Sequence, residues 1–258
     1  MENNYFLSIQ GSYSELEISL YNNQTCLQSI KDKNKRASSL LIPYIQELLN
    51  KNKIQFCDLR FICSDQGPGA FTSLRVTIST LNGLAFKNNI PLIGIDGLDA
   101  LSFETINKFN AQKTKNVLCP NIMVSLLNAF NGEVYFSISQ INNIEILTHN
   151  KLCESKGYKK IKLLLEDLRT KSAKETILFS GNGTILNIDL IKNIFNDKAI
   201  IFDQAICSAK QIAKMALKKW NNKQDLSFKI YPLYLKTQTF AVKTVPILPC
   251  QTSNQAQS

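Results

Sequence analysis

Apolar and polar residues alternate over residues 15–21, with Leu16, Ile18 and Leu20 on one face and Glu15, Glu17 and Ser19 on the other. A period of two predicts a half-buried strand. YFLSIQ (5–10) and TCLQSI (25–30), set off by the GSYS and Asn22-Asn23 turns, predict strands on either side of it. From about Ser38 the period changes. Leu41, Ile45, Leu48 and Leu49 recur at helical spacing, with Pro43 expected in the first turn or at a kink. LRFICS (59–64) is continuously apolar, as a strand buried on both faces requires. The DQGPG turn, a helix, the strand IPLIGI (90–95) and a helix opening at GLDALSFETINKF follow. Residues 1–105 thus read β-β-β-α-β-α, a mixed sheet with helices packed on it.

A second block repeats the plan loosely. NIMVSLLNAF and GEVYFSISQI (121–141) predict a hairpin, which residues 144–148 extend. A basic helix is expected over residues 156–169, and TILFSGNG (176–183) reads as a strand ending in a Gly-x-Gly turn. After Ser208 comes a helix with Ile212, Met215 and Ala216 inward. Two such blocks predict related lobes, 1–105 and 106–243, with the helix near 208–220 packing back on the first. Residues 244–258, rich in Gln, Ser and Thr and without periodicity, read as a disordered tail.

The turn at residues 67–69 raises a chemical question. A Gly-rich turn ahead of a helix can cradle phosphate, because consecutive backbone N–H groups converge there on an anion. Here Gly67 and Gly69 enclose Pro68, which has no N–H, and no lysine follows before Lys87. The dinucleotide pattern also fails, since residue 72 is Thr. The glycines read instead as a chain reversal stiffened by Pro68, with Thr72 capping a helix from Ser73. That helix carries one apolar stripe, Leu74, Ile78, Leu81 and Ala85, and a second face of smaller residues, Val76, Thr80, Gly83 and Leu84. A helix apolar on two sides needs two covers, the second being either the chain's first helix or another protein.

Charge adds a partner class. Thirty Lys and Arg against twenty Asp and Glu give a net charge of +10. That excess favours a polyanion such as RNA, or a diffusely basic, soluble surface. The lysines fall in short clusters at 31–36, 156–162 and 210–223. Seven scattered cysteines without a C-x-x-C pair fit neither a disulfide framework nor a zinc ribbon. The single histidine, His149, excludes paired-histidine metal sites within the chain, and with them a metallopeptidase. With no leader pattern and no apolar run long enough to span a bilayer, a cytoplasmic location without a membrane partner is expected.

GPGAFTSLRVTISTLNGLA followed by PLIGIDGLDAL closely resembles the Gly-Pro-Gly-Ser-Phe-Thr-Gly-Leu-Arg helix and Val-Ser-Ser-Leu segment of the TsaB (YeaZ) family. Three further segments follow in the same order: NAFNGEVYF for Asp-Ala-Arg-x-Gly-Glu-Val-Tyr, FSGNG for the family's Gly-x-Gly turn, and YPLYLK for Pro-x-Tyr-Leu-Arg. The resemblance runs from residue 5 to about 236. It implies a two-lobed α/β fold of the actin/Hsp70/sugar-kinase-like (ASKHA) type, with a βββαβα plan in each lobe. It also implies a non-catalytic subunit of the bacterial machinery that places threonylcarbamoyl on the adenosine beside the anticodon of ANN-decoding tRNAs. Such a subunit pairs with a TsaD-type catalytic subunit through two helices of its first lobe, and a TsaE-type ATPase joins them. By position, Leu41, Ile45 and Leu48 of the first helix and Leu74, Ile78 and Leu81 of the second are expected to face that partner. The same helices allow a homodimer when the chain is alone. No cofactor or metal is implied for the chain itself, with ATP expected only at an interface of the complex.

Departures from the family pattern point the same way. Ile9-Gln10-Gly11 stands for Ile-Asp-Thr, Asn128-Ala129-Phe130 for Asp-Ala-Arg, and Lys35-Arg36-Ala37-Ser38 for Arg-x-His-Ser. Each removes a group suited to nucleotide or metal chemistry while the apolar helix positions survive, which suits a scaffold. Gly132, Glu133 and Tyr135 of the hairpin are retained. Two other readings remain open. One is an ATP-using enzyme with Gly67, Gly69, Gly181 and Gly183 around the phosphates, which the missing carboxylate at Gln10 opposes. The other is direct tRNA contact through Lys159, Lys160, Lys162 and Arg169 together with Lys214, Lys218 and Lys219.

Overall fold

A computed structural model of the chain describes residues 3–13, 15–33, 37–112, 119–141, 155–172 and 174–236, with backbone alone for 37 and 38. The alternating segment is strand β2 (Leu16–Asn22), antiparallel to both β1 (Tyr5–Gln10) and β3 (Thr25–Asp32). The continuously apolar segment is β4 (Leu59–Asp65), parallel to β1, and β5 (Leu92–Ile95) lies parallel to β4. The first sheet therefore runs β3-β2-β1-β4-β5. Its plan recurs in a second sheet, β10-β9-β6-β7-β8, built from β6 (Ile122–Asn128), β7 (Glu133–Gln140), β8 (Ser155–Lys160), β9 (Ile177–Ser180) and β10 (Ala199–Ile201). In each sheet the first strand is central, with an antiparallel meander of two strands on one side and two parallel strands on the other. This duplication is the actin/Hsp70/sugar-kinase arrangement.

Helices α1 (Ala37–Lys51), α2 (Phe71–Asn88) and α3 (Gly97–Gln112) belong to the first block. The second supplies α4 (Ile161–Lys171), α5 (Asn182–Ile185), α6 (Ile188–Phe195) and α7 (Ala209–Asn221). Several boundaries correct the sequence reading. Pro43 sits in the second turn of α1 rather than the first, on its exposed side. Thr72 is not a cap: α2 starts at Phe71, and the Ala70 carbonyl accepts the Leu74 amide at 2.9 Å. Residues 155–160 are an edge strand rather than helix, because they lack a 3.6-residue apolar period and β7 offers an open edge. Elements α5, α6 and β10 complete the second lobe without a counterpart in the expectations. The expected extension at 144–148, His149, Lys35, Arg36 and the tail at 244–258 lie outside the described residues.

The two blocks exchange their last helices. One face of the first sheet is covered by α1 and α2, whose Leu41, Ile45, Leu48, Leu74, Ile78 and Leu81 pack with Leu7, Ile9, Leu20 and Ile62. The other face is covered by α7, with Ile212, Ala213 and Ala216 against Phe61, Ile93 and Ile95. Trp220 of α7 stacks on Phe61 at 4.7 Å, Phe61 on Phe6 at 4.4 Å and Phe6 on Tyr21 at 5.1 Å. Helix α3 runs past residue 105 and packs on the second sheet instead, Phe103, Ile106 and Phe109 meeting Met123 and Leu178. Helices α4 and α6 close that sheet's far face.

This packing overturns the expected partner face. The six residues named for it are each at most 3% exposed. The most apolar stripe of each helix is drawn to its own sheet, because burying it there removes the most hydrocarbon from water. Among the described residues no helix is long and apolar enough to cross a membrane. Leu81→Ala should cost the isolated chain about 2–5 kcal/mol in urea unfolding. Leu74→Glu or Ile78→Lys should prevent folding altogether, seen as loss of the cooperative thermal transition.

Candidate functional site at the strand ends between the sheets

The parallel strands of both sheets end in turns that face one another, the usual ligand position in α/β folds. From the first sheet come Gln10–Tyr13 after β1, the Gly67-Pro68-Gly69 turn after β4 and Asp96-Gly97 after β5. From the second come Asn128–Phe130 after β6 and Gly181–Gly183 after β9. Contacts bridge the two sides. The Tyr13 hydroxyl donates to the Asn128 carbonyl at 3.0 Å, and Lys156 of β8 pairs with Asp96 at 2.6 Å and Asp99 at 2.7 Å. Asp96 also caps α3, accepting the Leu98 amide at 2.9 Å.

Several backbone amides in these turns are already taken. Gly67 N–H donates to Asp65 Oδ1 at 2.7 Å, Ala70 N–H to the Ser12 carbonyl at 2.7 Å and Gly97 N–H to the Gly67 carbonyl at 2.8 Å. In the other lobe Gly181 N–H donates to the Gln204 carbonyl at 2.8 Å and Asn182 N–H to the Ala205 carbonyl at 2.7 Å. The glycines serve close packing. A Cβ on Gly69 would stand 2.4 Å from the Ser12 carbonyl oxygen, and one on Gly181, at φ +103°, 2.0 Å from that of Leu126. Gly183 lies buried in α5 against the same Leu126. These donors are turned to the chain's own acceptors, so a phosphate would have to displace them.

The side chains match that reading. Gln10, 1% exposed, donates from Nε2 to Ser12 Oγ at 3.1 Å, and its Oε1 has no partner. Asn128 Oδ1 accepts the Phe130 amide at 2.9 Å, and Phe130 points outward, 53% exposed. Among the described residues no cluster of three or more His, Cys, Asp or Glu could hold a metal ion. At residue 10 a carboxamide stands where holding a metal would call for a carboxylate. Among the described residues Asp65 is the most enclosed acid, and its carboxylate takes the Gly67 N–H. Burial pushes its pKa up to about 6, against the pull of hydrogen bonds from Ser12 and Gly67. Cys207 lies 4.0 Å from Asp65 Oδ2, and burial followed by the Asp65 charge pushes its thiol up.

Sequence reading noted YPLYLK only as a family match and missed that it straps this region. Asn82 of α2 both donates to the Ile230 carbonyl, at 2.9 Å, and accepts its amide, at 3.0 Å. The Gln66 carbonyl accepts Leu233 N–H at 2.8 Å, and Arg75 Nε donates to the Tyr234 hydroxyl at 2.6 Å. Lys236 then pairs with the retained Glu133 of the second lobe. A carboxamide mid-helix was the available signal, since such a side chain can serve a passing backbone as both donor and acceptor. The lysines expected to meet tRNA are spread over three elements, β8, α4 and α7. Lys159 pairs with Asp167, whereas Lys160 and Lys162 are exposed on the second lobe. Lys218 and Lys219 are on α7, and Lys219 is turned inward to the Gly94 carbonyl at 3.2 Å and Asp225 at 2.9 Å. That inward latch removes Lys219 from any outer charge patch.

Asp65 also sets a pH dependence. Its folded pKa lies above the ordinary aspartate value of 3.8, so its favourable contribution is complete below 3.8 and fades as pH rises through about 6. Between roughly pH 4.5 and 7.5, Asp65→Asn should gain about 2 kcal/mol on the parent chain, read as diverging urea-unfolding stabilities. Parallel curves would place the Asp65 charge in solvent.

Three comparisons complete the picture. The family model described as TsaD, tRNA N6-adenosine threonylcarbamoyltransferase, matches residues 31–239. The chain is 27% identical over 228 residues to the tRNA threonylcarbamoyladenosine biosynthesis protein TsaB of Buchnera aphidicola subsp. Acyrthosiphon pisum, covering 88% of this chain and 94% of that one. It is 25% identical over 197 residues to TsaB of Bacillus subtilis, covering 76% and 78%. The solved structure of YeaZ from Pseudomonas aeruginosa superposes with a TM-score of 0.70 at 18% identity, over 90% of this chain and 100% of that one, and so shares the fold. The chain belongs to the TsaD family of tRNA N6-adenosine threonylcarbamoyltransferase proteins, among its TsaB (YeaZ) members.

Proposed function

We propose that this chain serves tRNA threonylcarbamoyladenosine biosynthesis as a non-catalytic subunit that holds a TsaD-type catalytic homologue. Family membership supports the pathway. The observation that supports the non-catalytic role is the set of spent amides: the Gly-Pro-Gly turn gives its N–H to the chain's own Asp65 rather than to a ligand. ATP, the TsaE-type ATPase and tRNA then belong to the assembled complex.

The pairing surface is the outer side of α1 and α2, since the inner side is core. On α2 it carries the small residues Thr72, Val76, Ser79, Thr80 and Gly83, ending at Phe86, which is 87% exposed. Ile42 of α1, 45% exposed, adds hydrocarbon. Gly83 is the informative position. A Cβ there would meet nothing within 4 Å, so the fold does not need glycine, although glycine costs a helix interior roughly 1 kcal/mol relative to alanine. A close-packed partner helix gives it a purpose. The same surface would join two copies of this chain when the partner is absent.

Gly83→Arg should leave the isolated chain as stable as the parent or slightly more so, and should abolish its complex with the catalytic homologue in size-exclusion chromatography with light scattering. Undiminished pairing discards this surface. Titration of the isolated chain with Mg·ATP in a calorimeter should give no binding heat, and saturable uptake would restore the nucleotide-enzyme reading.

A further inference from the structure

The exchange of α3 and α7 opens a groove between them. It is a cavity of about 740 Å³ whose floor includes Phe6 and Tyr21 and whose rim carries Lys108, Lys210, Lys214 and Lys218. Four lysines face one carboxylate there, Glu104. That carboxylate is committed: it accepts the Ser208 amide at 2.7 Å and the Ser208 hydroxyl at 2.8 Å, and it pairs with Lys108 at 2.8 Å. Lys210 and Lys214 are exposed and take part in no ion pair among the described residues.

The spacing on α7 is regular. Lys210, Lys214 and Lys218 follow at i, i+4 and i+8, so successive charges climb the helix by about 6 Å. Like charges at that spacing cost a helix a few tenths of a kcal/mol per pair, and no acidic residue in α7 relieves them. A repeated cation at this interval matches the repeated anion of a nucleic-acid strand. The apolar floor offers little to a peptide anchor, Phe6 being 0% and Tyr21 5% exposed. Carboxamides on the walls, among them Asn107 and Gln24, suit sugar hydroxyls.

We infer that the α3–α7 groove binds a phosphodiester strand of RNA, with Lys210 and Lys214 neutralising successive phosphates. That the RNA is tRNA rests on the pathway proposed above, whereas the groove's preference for a phosphate strand does not. Fluorescence anisotropy of an unmodified tRNA transcript, titrated with the full chain at several salt concentrations, tests it. The double variant Lys210→Ala/Lys214→Ala should bind about tenfold more weakly or worse, with the salt slope reduced by about two. Lys160→Ala/Lys162→Ala, outside the groove, should change neither quantity. Unaltered binding by the first variant, or equal losses in both, would overturn the assignment. So would displacement of the RNA by polyglutamate at equal charge concentration, which would mark an acidic-peptide site. Pairing with the catalytic homologue is read separately: the groove variant should pair normally and Gly83→Arg should bind RNA normally, so that failure of either claim leaves the other standing.

Discussion

Burial of the first sheet on both faces is the constraint on which the structure depends. Two helices from its own block cover one side, and the other must wait for α7, more than a hundred residues later in the chain. Since α3 has crossed to the second sheet, neither sheet is closed without a helix contributed from the far half. The tie between the two halves follows from this exchange, including the aromatic stack that ends on Trp220. The lobes are therefore not independent folding blocks joined by a linker. Each supplies hydrocarbon that the other's sheet requires.

Polar groups at the crossing are paired rather than removed. Ser102 of α3 shares hydrogen bonds with Ser125 at 2.9 Å and Ser137 at 3.3 Å, and Thr105 donates to Ser180 at 2.9 Å. At the start of α7 the Ser8 hydroxyl donates to the Ala209 carbonyl at 2.7 Å, while Glu104 holds Ser208. Buried hydroxyls of this kind add little net stability, yet an unmatched one is costly, so they fix how α3 and α7 sit. The groove between those helices, with its lysine row, is a by-product of that fixed angle.

The same economy governs the turns. In a nucleotide enzyme the amides at strand ends wait for phosphate. Here several of them close on Asp65, Ser12 and neighbouring carbonyls, and the positions where the family keeps an acid or base hold Gln10, Asn128 and Phe130. The proposed role as a partner subunit rests on these turns, and it moves attention from the cleft to the outer helix surfaces and the charged groove.

Most strands and the longer helices were legible in the sequence, because alternation at two and recurrence at 3.6 report which residues leave water, and that is a local property. Residues 155–160 escaped this logic, since what makes them a strand is the open edge of β7. The spent amides were half legible: Pro68 lacks a donor by its chemistry, but only the fold brings Asp65 Oδ1 to Gly67. The direction of the α2 stripe was not legible at all. Two faces of that helix were apolar enough to pack, and periodicity does not say which one meets the chain's own sheet. By itself, then, the sequence determined the duplicated plan, the family and the absence of a metal-binding carboxylate at residue 10. Tertiary structure alone decided that Leu74 and Ile78 are core, that Gly83 faces outward and that Lys210 and Lys214 share a groove with Lys108, because each of these depends on contacts between segments far apart in the chain.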